Sequence, residues 1–187
     1  MTPPDPLLAL QTRAGLPDAL RVLAKDLPRA QWEAHPNFGE MVQFWMQRHA
    51  MFRQVSDILR ADAAARMDAR MAPEDYAARL SHYGGMLLRE LQTHHHVEDS
   101  HYFPQLITLD ARLEKGFDLL ERDHSALDGV LHSMADATNT VLTAGAAQEP
   151  VGLFSECLTD FATLLERHLT DEEEIVVPVI LKTGFSG

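Results

Sequence analysis

Two stretches of this chain carry the same punctuation. From His94 the sequence runs HHHVEDSHYFP and from His168 it runs HLTDEEEIVVP; in each, a glutamate follows the histidine by four residues and a proline by ten. On a helix, a spacing of four sets His94 over Glu98 and His168 over Glu172. An imidazole and a carboxylate on one face can share a cation or bridge two. Whether they face inward depends on the apolar pattern around them.

That pattern is helical four times over. Met41, Trp45, His49, Phe52, Val55 and Leu59 share one stripe in a helix predicted over 39–66. A second helix, over 73–103, aligns Leu80, Tyr83, Leu87, Leu91, His94, Glu98 and His101; Pro73 suits its first turn and Pro104 ends it. A third, over 111–142, aligns Phe117, Leu120, His124, Leu127, Leu131 and Met134. The fourth, over 151–181, aligns Phe154, Phe161, Leu165, His168, Glu172 and Ile175, with Pro178 near its end. Short connections between long helices imply antiparallel neighbours, so the chain reads as all-α, an up-down-up-down four-helix bundle over residues 39–182. Residues 1–38, broken by Pro3, Pro4, Pro6, Pro17, Pro28 and Pro36, read as an N-terminal arm with short helices, PDALRVLAKDL being the better of them. Residues 183–187 form a tail. Gly84 and Gly85 are expected to permit close helix packing or a bend.

The histidines now fall into place. His49 and His124 lie on the inner stripes of the first and third helices; His49 precedes His94 by 45 residues, and His124 precedes His168 by 44. The chain therefore repeats a hairpin of two helices. At 1.5 Å per residue, each of the four sits roughly 30–36 Å from the end of the bundle where its hairpin turns. Four imidazoles at one depth, two with glutamates beside them, would each cost on the order of 1 kcal/mol or more in an apolar interior if left without partners. That donor count suits two ions bridged by carboxylates. His35, His82, His96 and His132 are expected at the surface.

Composition narrows the function further. A chain of 187 residues is long enough to bury a substantial core, and its net charge of -12 disfavours nucleic-acid and anionic-membrane partners. The single cysteine, Cys157, excludes an internal disulfide and fits a reducing compartment. MTPPDPLLALQTRAGL lacks the basic and apolar regions of a signal peptide, so a cytoplasmic location is expected. No apolar run is long enough to span a membrane.

With two His-x-x-x-Glu segments ending in proline and a single histidine on each alternate helix, the chain resembles the hemerythrin-like, HHE cation-binding family over about residues 40–182. The resemblance implies an oxo- or hydroxo-bridged non-haem pair of iron ions, other divalent metals being alternatives. It implies His49, His94, Glu98, His124, His168 and Glu172 as ligands, with the two glutamates as bridges. Oxygen-carrying members have a histidine four residues after the third-helix ligand, where this chain has Asp128, and an aspartate five residues after the last histidine, where it has Glu173. A further ligand is open among His101, Asp128, Glu173 and His95, the last paired at i+4 with Asp99.

A ferritin-like site is disfavoured, because its Glu-x-x-His pairs would lie on consecutive helices here, at Glu98/His101 and Glu121/His124. Three functions remain: binding or sensing of a diatomic ligand (O2 or NO) or of iron; di-iron redox catalysis on peroxide, O2 or NO, which would call for an electron-donor protein; and buffering of a divalent metal such as zinc. Trp45, Phe52 and Phe161 are expected in the core, where they would line an apolar pocket near the ions.

Overall fold

The computed structural model describes residues 6–187, and every regular element among them is helical. Pro3 and Pro4 of the expected arm lie outside the described residues. The long helices are α1 (Glu40–Met67), α2 (Pro73–Val97), α4 (Glu114–Thr143) and α5 (Gln148–Thr183), with a short α3 (Phe103–Leu109) after α2. This is the all-α helical bundle that the sequence pattern predicts. No helix among the described residues is long and apolar enough to cross a membrane.

Three boundaries differ from expectation. The second helical run does not stop at Pro104. A single π turn, Glu98–Tyr102, continues α2 into α3, with the Phe103 N–H donating to the Glu98 carbonyl five residues back. The wider turn puts Pro104 near the start of α3, where a missing N–H is tolerated. Helix α5 runs through Pro178 to Thr183 and closes at Gly184, whose positive φ of 70° and N–H bond to the Ile180 carbonyl form a left-handed cap. The expected helix PDALRVLAKDL is a succession of turns, with Leu20 N–H on the Pro17 carbonyl and Ala24 N–H on the Arg21 carbonyl. Its Leu23, and Leu16 just before it, are buried in the core of the bundle instead of along a helix of their own.

The chain forms two compact units, each drawing on all four long helices. One comprises the arm and the start of α1 up to His49, residues 95–126 and residues 166–187; the other comprises residues 50–94 and 127–165. The first has a core of Trp32, Trp45, Phe103, Phe117 and the run from Ile175 to Leu181, lined by Leu16 and Leu23 from the arm. Gly116 on α4 is required there: a Cβ at that position would lie 2.8 Å from the Leu20 carbonyl oxygen and 3.0 Å from Ile175 Cδ1. The second buries Phe52, Leu59, Tyr76, Leu80, Leu87, Leu91, Phe154 and Phe161. In it an added Cβ at Gly84 would meet Thr138 and Leu80 at ordinary contact distance and one at Gly85 would meet nothing within 4 Å; α2 is unbroken at both.

Candidate metal centre

The helices deliver two groups of ligand-type side chains. His95, His124 and His168 place ring nitrogens within 4.8 Å of one another, and so do ligand atoms of His49, His94, Glu98 and Glu172. All are buried except His94, which is half-buried and packs its ring against Phe52 at 5.1 Å. Glu172 lies between the groups. Its Oε1 is 3.2 Å from His49 Nε2, and its Oε2 is 3.4 Å from His168 Nε2. Glu98 has a similar station, its Oε2 standing 3.6 Å from His124 Nε2 of the other group.

A carboxylate faces the far nitrogen of three of these imidazoles. Asp99 Oδ1 is 2.7 Å from His124 Nδ1, Glu173 Oε1 is 2.9 Å from His49 Nδ1, and Asp123 Oδ2 is 3.6 Å from His168 Nδ1. Such partners fix which ring nitrogen is left for a metal and raise its basicity. The Trp45 indole N–H donates to Glu172 Oε1.

The electrostatics fit a cation. Burial, reinforced by the neighbouring Glu172, pushes the Glu98 carboxyl well above the ordinary carboxylate range. Burial holds His168 below the ordinary histidine value, outweighing Asp123, so its imidazole is kept in the neutral, ligating form. At His49 burial acts downward too, but Glu172 and then Glu173 overcome it and raise the ring to about 9. The Nε2 of His124 and both ring nitrogens of His168 are buried with no hydrogen-bond partner. Buried nitrogens without partners, beside two carboxyls that oppose each other's ionisation, are what bound cations would satisfy. Imidazole and carboxylate donors suit iron, zinc or manganese rather than a metal that selects thiolates.

The family model for the hemerythrin HHE cation-binding domain matches residues 40–180. The chain belongs to that family. No curated protein and no solved structure matches it in comparison. Within this hemerythrin HHE domain, the six residues aligned by the sequence, His49, His94, Glu98, His124, His168 and Glu172, all fall in the two groups.

The remaining sequence candidates separate. His101 is exposed, its Nε2 beside the Gln105 amide at 3.3 Å, and it joins neither group. The π turn is the reason: a turn closed over five residues advances less per residue than 3.6-residue spacing assumes, so His101 rotates off the Glu98 stripe and Phe103 turns inward. Asp128 is also exposed, bordering a surface hollow with Leu88, Gln92 and His132, while Leu127 and Leu131 take the inward positions of α4. Glu173 is buried, but it sits behind His49 rather than in a ligand group.

His95 enters the three-histidine group, where sequence spacing left it open. A signal was present: Leu87 and Leu91 are buried at intervals of four, and the next step on that stripe is His95. Asp123, adjacent to His124, and the arm residues Arg13 and Arg29 belong to no periodic pattern in the sequence.

Proposed function

We propose that this protein holds two iron ions in the adjoining groups and uses them to bind a diatomic ligand, O2 or NO. The observation that carries the reading is Glu172, whose two oxygens are divided between His49 of one group and His168 of the other. His95, His124 and His168 would hold one ion, His49 and His94 the other, with Glu98 and Glu172 between them. Iron there would supply a change of oxidation state and a coordination position for a small ligand. The protein's part is to keep the imidazoles oriented through Asp99, Asp123 and Glu173, and to keep bulk water out. Phe103, stacked on His124 at 5.5 Å, and Phe52 against His94 are apolar walls beside those rings.

Metal analysis and visible spectroscopy test the proposal. Protein produced with iron available is expected to carry a pair of irons and, when oxidised, charge-transfer absorption. Exposing the reduced protein to O2 or NO should change the spectrum, and removing the gas should reverse it. Steady consumption of peroxide or O2 without reversal would replace binding by catalysis. Zinc alone in the purified protein would overturn the iron reading in favour of metal buffering.

A further inference from the structure

The arm does more than cover the bundle. Arg13 is buried, at 3% exposure, which is costly for a guanidinium unless it is fully paired. Its Nε donates to Asp171 Oδ2 at 2.7 Å, its Nη1 to Asp123 Oδ1 at 2.8 Å and to the Leu8 carbonyl at 3.0 Å, and its Nη2 to Asp123 Oδ2. The same Asp123 Oδ2 faces His168 Nδ1. Farther along the arm, Arg29 donates to Glu173 Oε2, and the other oxygen of that carboxylate faces His49 Nδ1. In each case an arm guanidinium grips a buried carboxylate that faces the far nitrogen of an imidazole, at hydrogen-bond distance for His49 (2.9 Å) and at ion-pair distance for His168 (3.6 Å). His168 belongs to the three-histidine group and His49 to the glutamate-containing group.

Anchoring alone does not require this chemistry. Apolar arm residues such as Leu16 and Leu23 already seat the segment, and the Leu16 N–H adds a bond to Asp171 Oδ1 at 3.2 Å. A buried ion pair is seldom a better fastener than well-packed apolar side chains. What a guanidinium adds is direction. The Arg13 fork fixes the rotamer of Asp123 and a single Arg29 N–H holds that of Glu173, and each carboxylate biases the ring it faces.

Building on the proposed pair of ions, we infer that the N-terminal arm is part of the metal centre, with Arg13 and Arg29 as positioning residues that orient His168 and His49. Each arginine governs one ion. The arm therefore sets the affinity and redox potential of the two ions separately.

Titration of ferrous and cobalt(II) ions into the metal-free full chain tests this, with Arg29→Gln, Arg13→Lys and Arg13→Met beside the wild type. Arg29→Gln should weaken one of the two binding steps by about 10–100-fold and alter the cobalt(II) spectrum of the glutamate-containing group. Arg13→Met should weaken the other step by a similar factor, and Arg13→Lys, which keeps charge without the fork, should restore it only in part. If Arg13→Met does not fold, the half-exposed Arg29 and the lysine variant decide. Folded Arg29→Gln and Arg13→Lys proteins that bind both ions with wild-type affinity and spectra would overturn the inference, even if the metal-free forms melt at lower temperature. A wild-type chain that takes up no pair of ions would instead remove the metal reading beneath it.

Discussion

His95 and His124 lie face to face, their ring centroids 4.1 Å apart and their planes 11° from parallel. His168 stands edge-on to both, at 5.2 Å and 4.8 Å. Three rings from α2, α4 and α5 thus turn nitrogens toward one small space. The third histidine of this group comes from α2, beside His94, and not from the position on α4 that Asp128 occupies.

That arrangement makes His95 a stringent test. If the proposed pair of ions is bound, His95→Ala should lose the one assigned to the three-histidine group, lowering metal content toward one ion per chain, while His101→Ala should keep full content and spectrum. Metal analysis after dialysis, with circular dichroism to confirm folding, separates the two. Full retention in His95→Ala would remove it from the ligand set.

Two glycines predict opposite outcomes. Gly85→Ala adds a methyl into open space in a helix interior and should stabilise the fold by about 0.5–1 kcal/mol. Gly116→Ala drives a Cβ into the backbone carbonyl of Leu20, which cannot rotate away, and should destabilise by about 1–3 kcal/mol while loosening the arm. Urea unfolding of both variants measures the difference.

Tyr76 is fully buried, and its hydroxyl has no hydrogen-bond partner. Burial, with the nearby Asp62 adding to it, raises the phenol to about 12. The folded state therefore holds this proton more tightly than the unfolded chain. The sign follows: the contribution is intact below the ordinary tyrosine value near 10 and is lost as pH rises from there through about 12. Tyr76→Phe should flatten that alkaline loss. It should be neutral or stabilising by up to about 1 kcal/mol at pH 7, since an unsatisfied hydroxyl is removed at constant shape. Thermal melts of both proteins across the alkaline range check it.

At the acid end, Asp110 bonds Arg112 and takes Lys182 Nζ at 2.8 Å, tying the start of α4 to the end of α5. Arg112 first, and Lys182 second, hold its carboxyl well below the ordinary value. A depressed carboxyl stabilises above its unfolded pKa near 4, and that stabilisation disappears as pH falls through the lower folded value. Asp110→Asn should lower the melting temperature at pH 7 and lower it by clearly less at pH 2, where part of the stabilisation has already gone. An equal drop at both would show that the pair contributes nothing electrostatic.

The repeated His-x-x-x-Glu pattern and the four apolar stripes determined by themselves that the chain is helical and that His49, His94, Glu98, His124, His168 and Glu172 share an interior. Periodicity carries that information because a helix returns to one face every 3.6 residues and an amphipathic face must be buried. Only the tertiary structure decided the rest. The π turn broke the period just after Glu98, so His101 swung out, and the stripe through Leu87 and Leu91 brought His95 in. The arm has no period to read. Arg13 and Arg29 reach Asp123 and Glu173 across more than a hundred residues of sequence, and such pairings depend on packing between segments rather than on spacing within one.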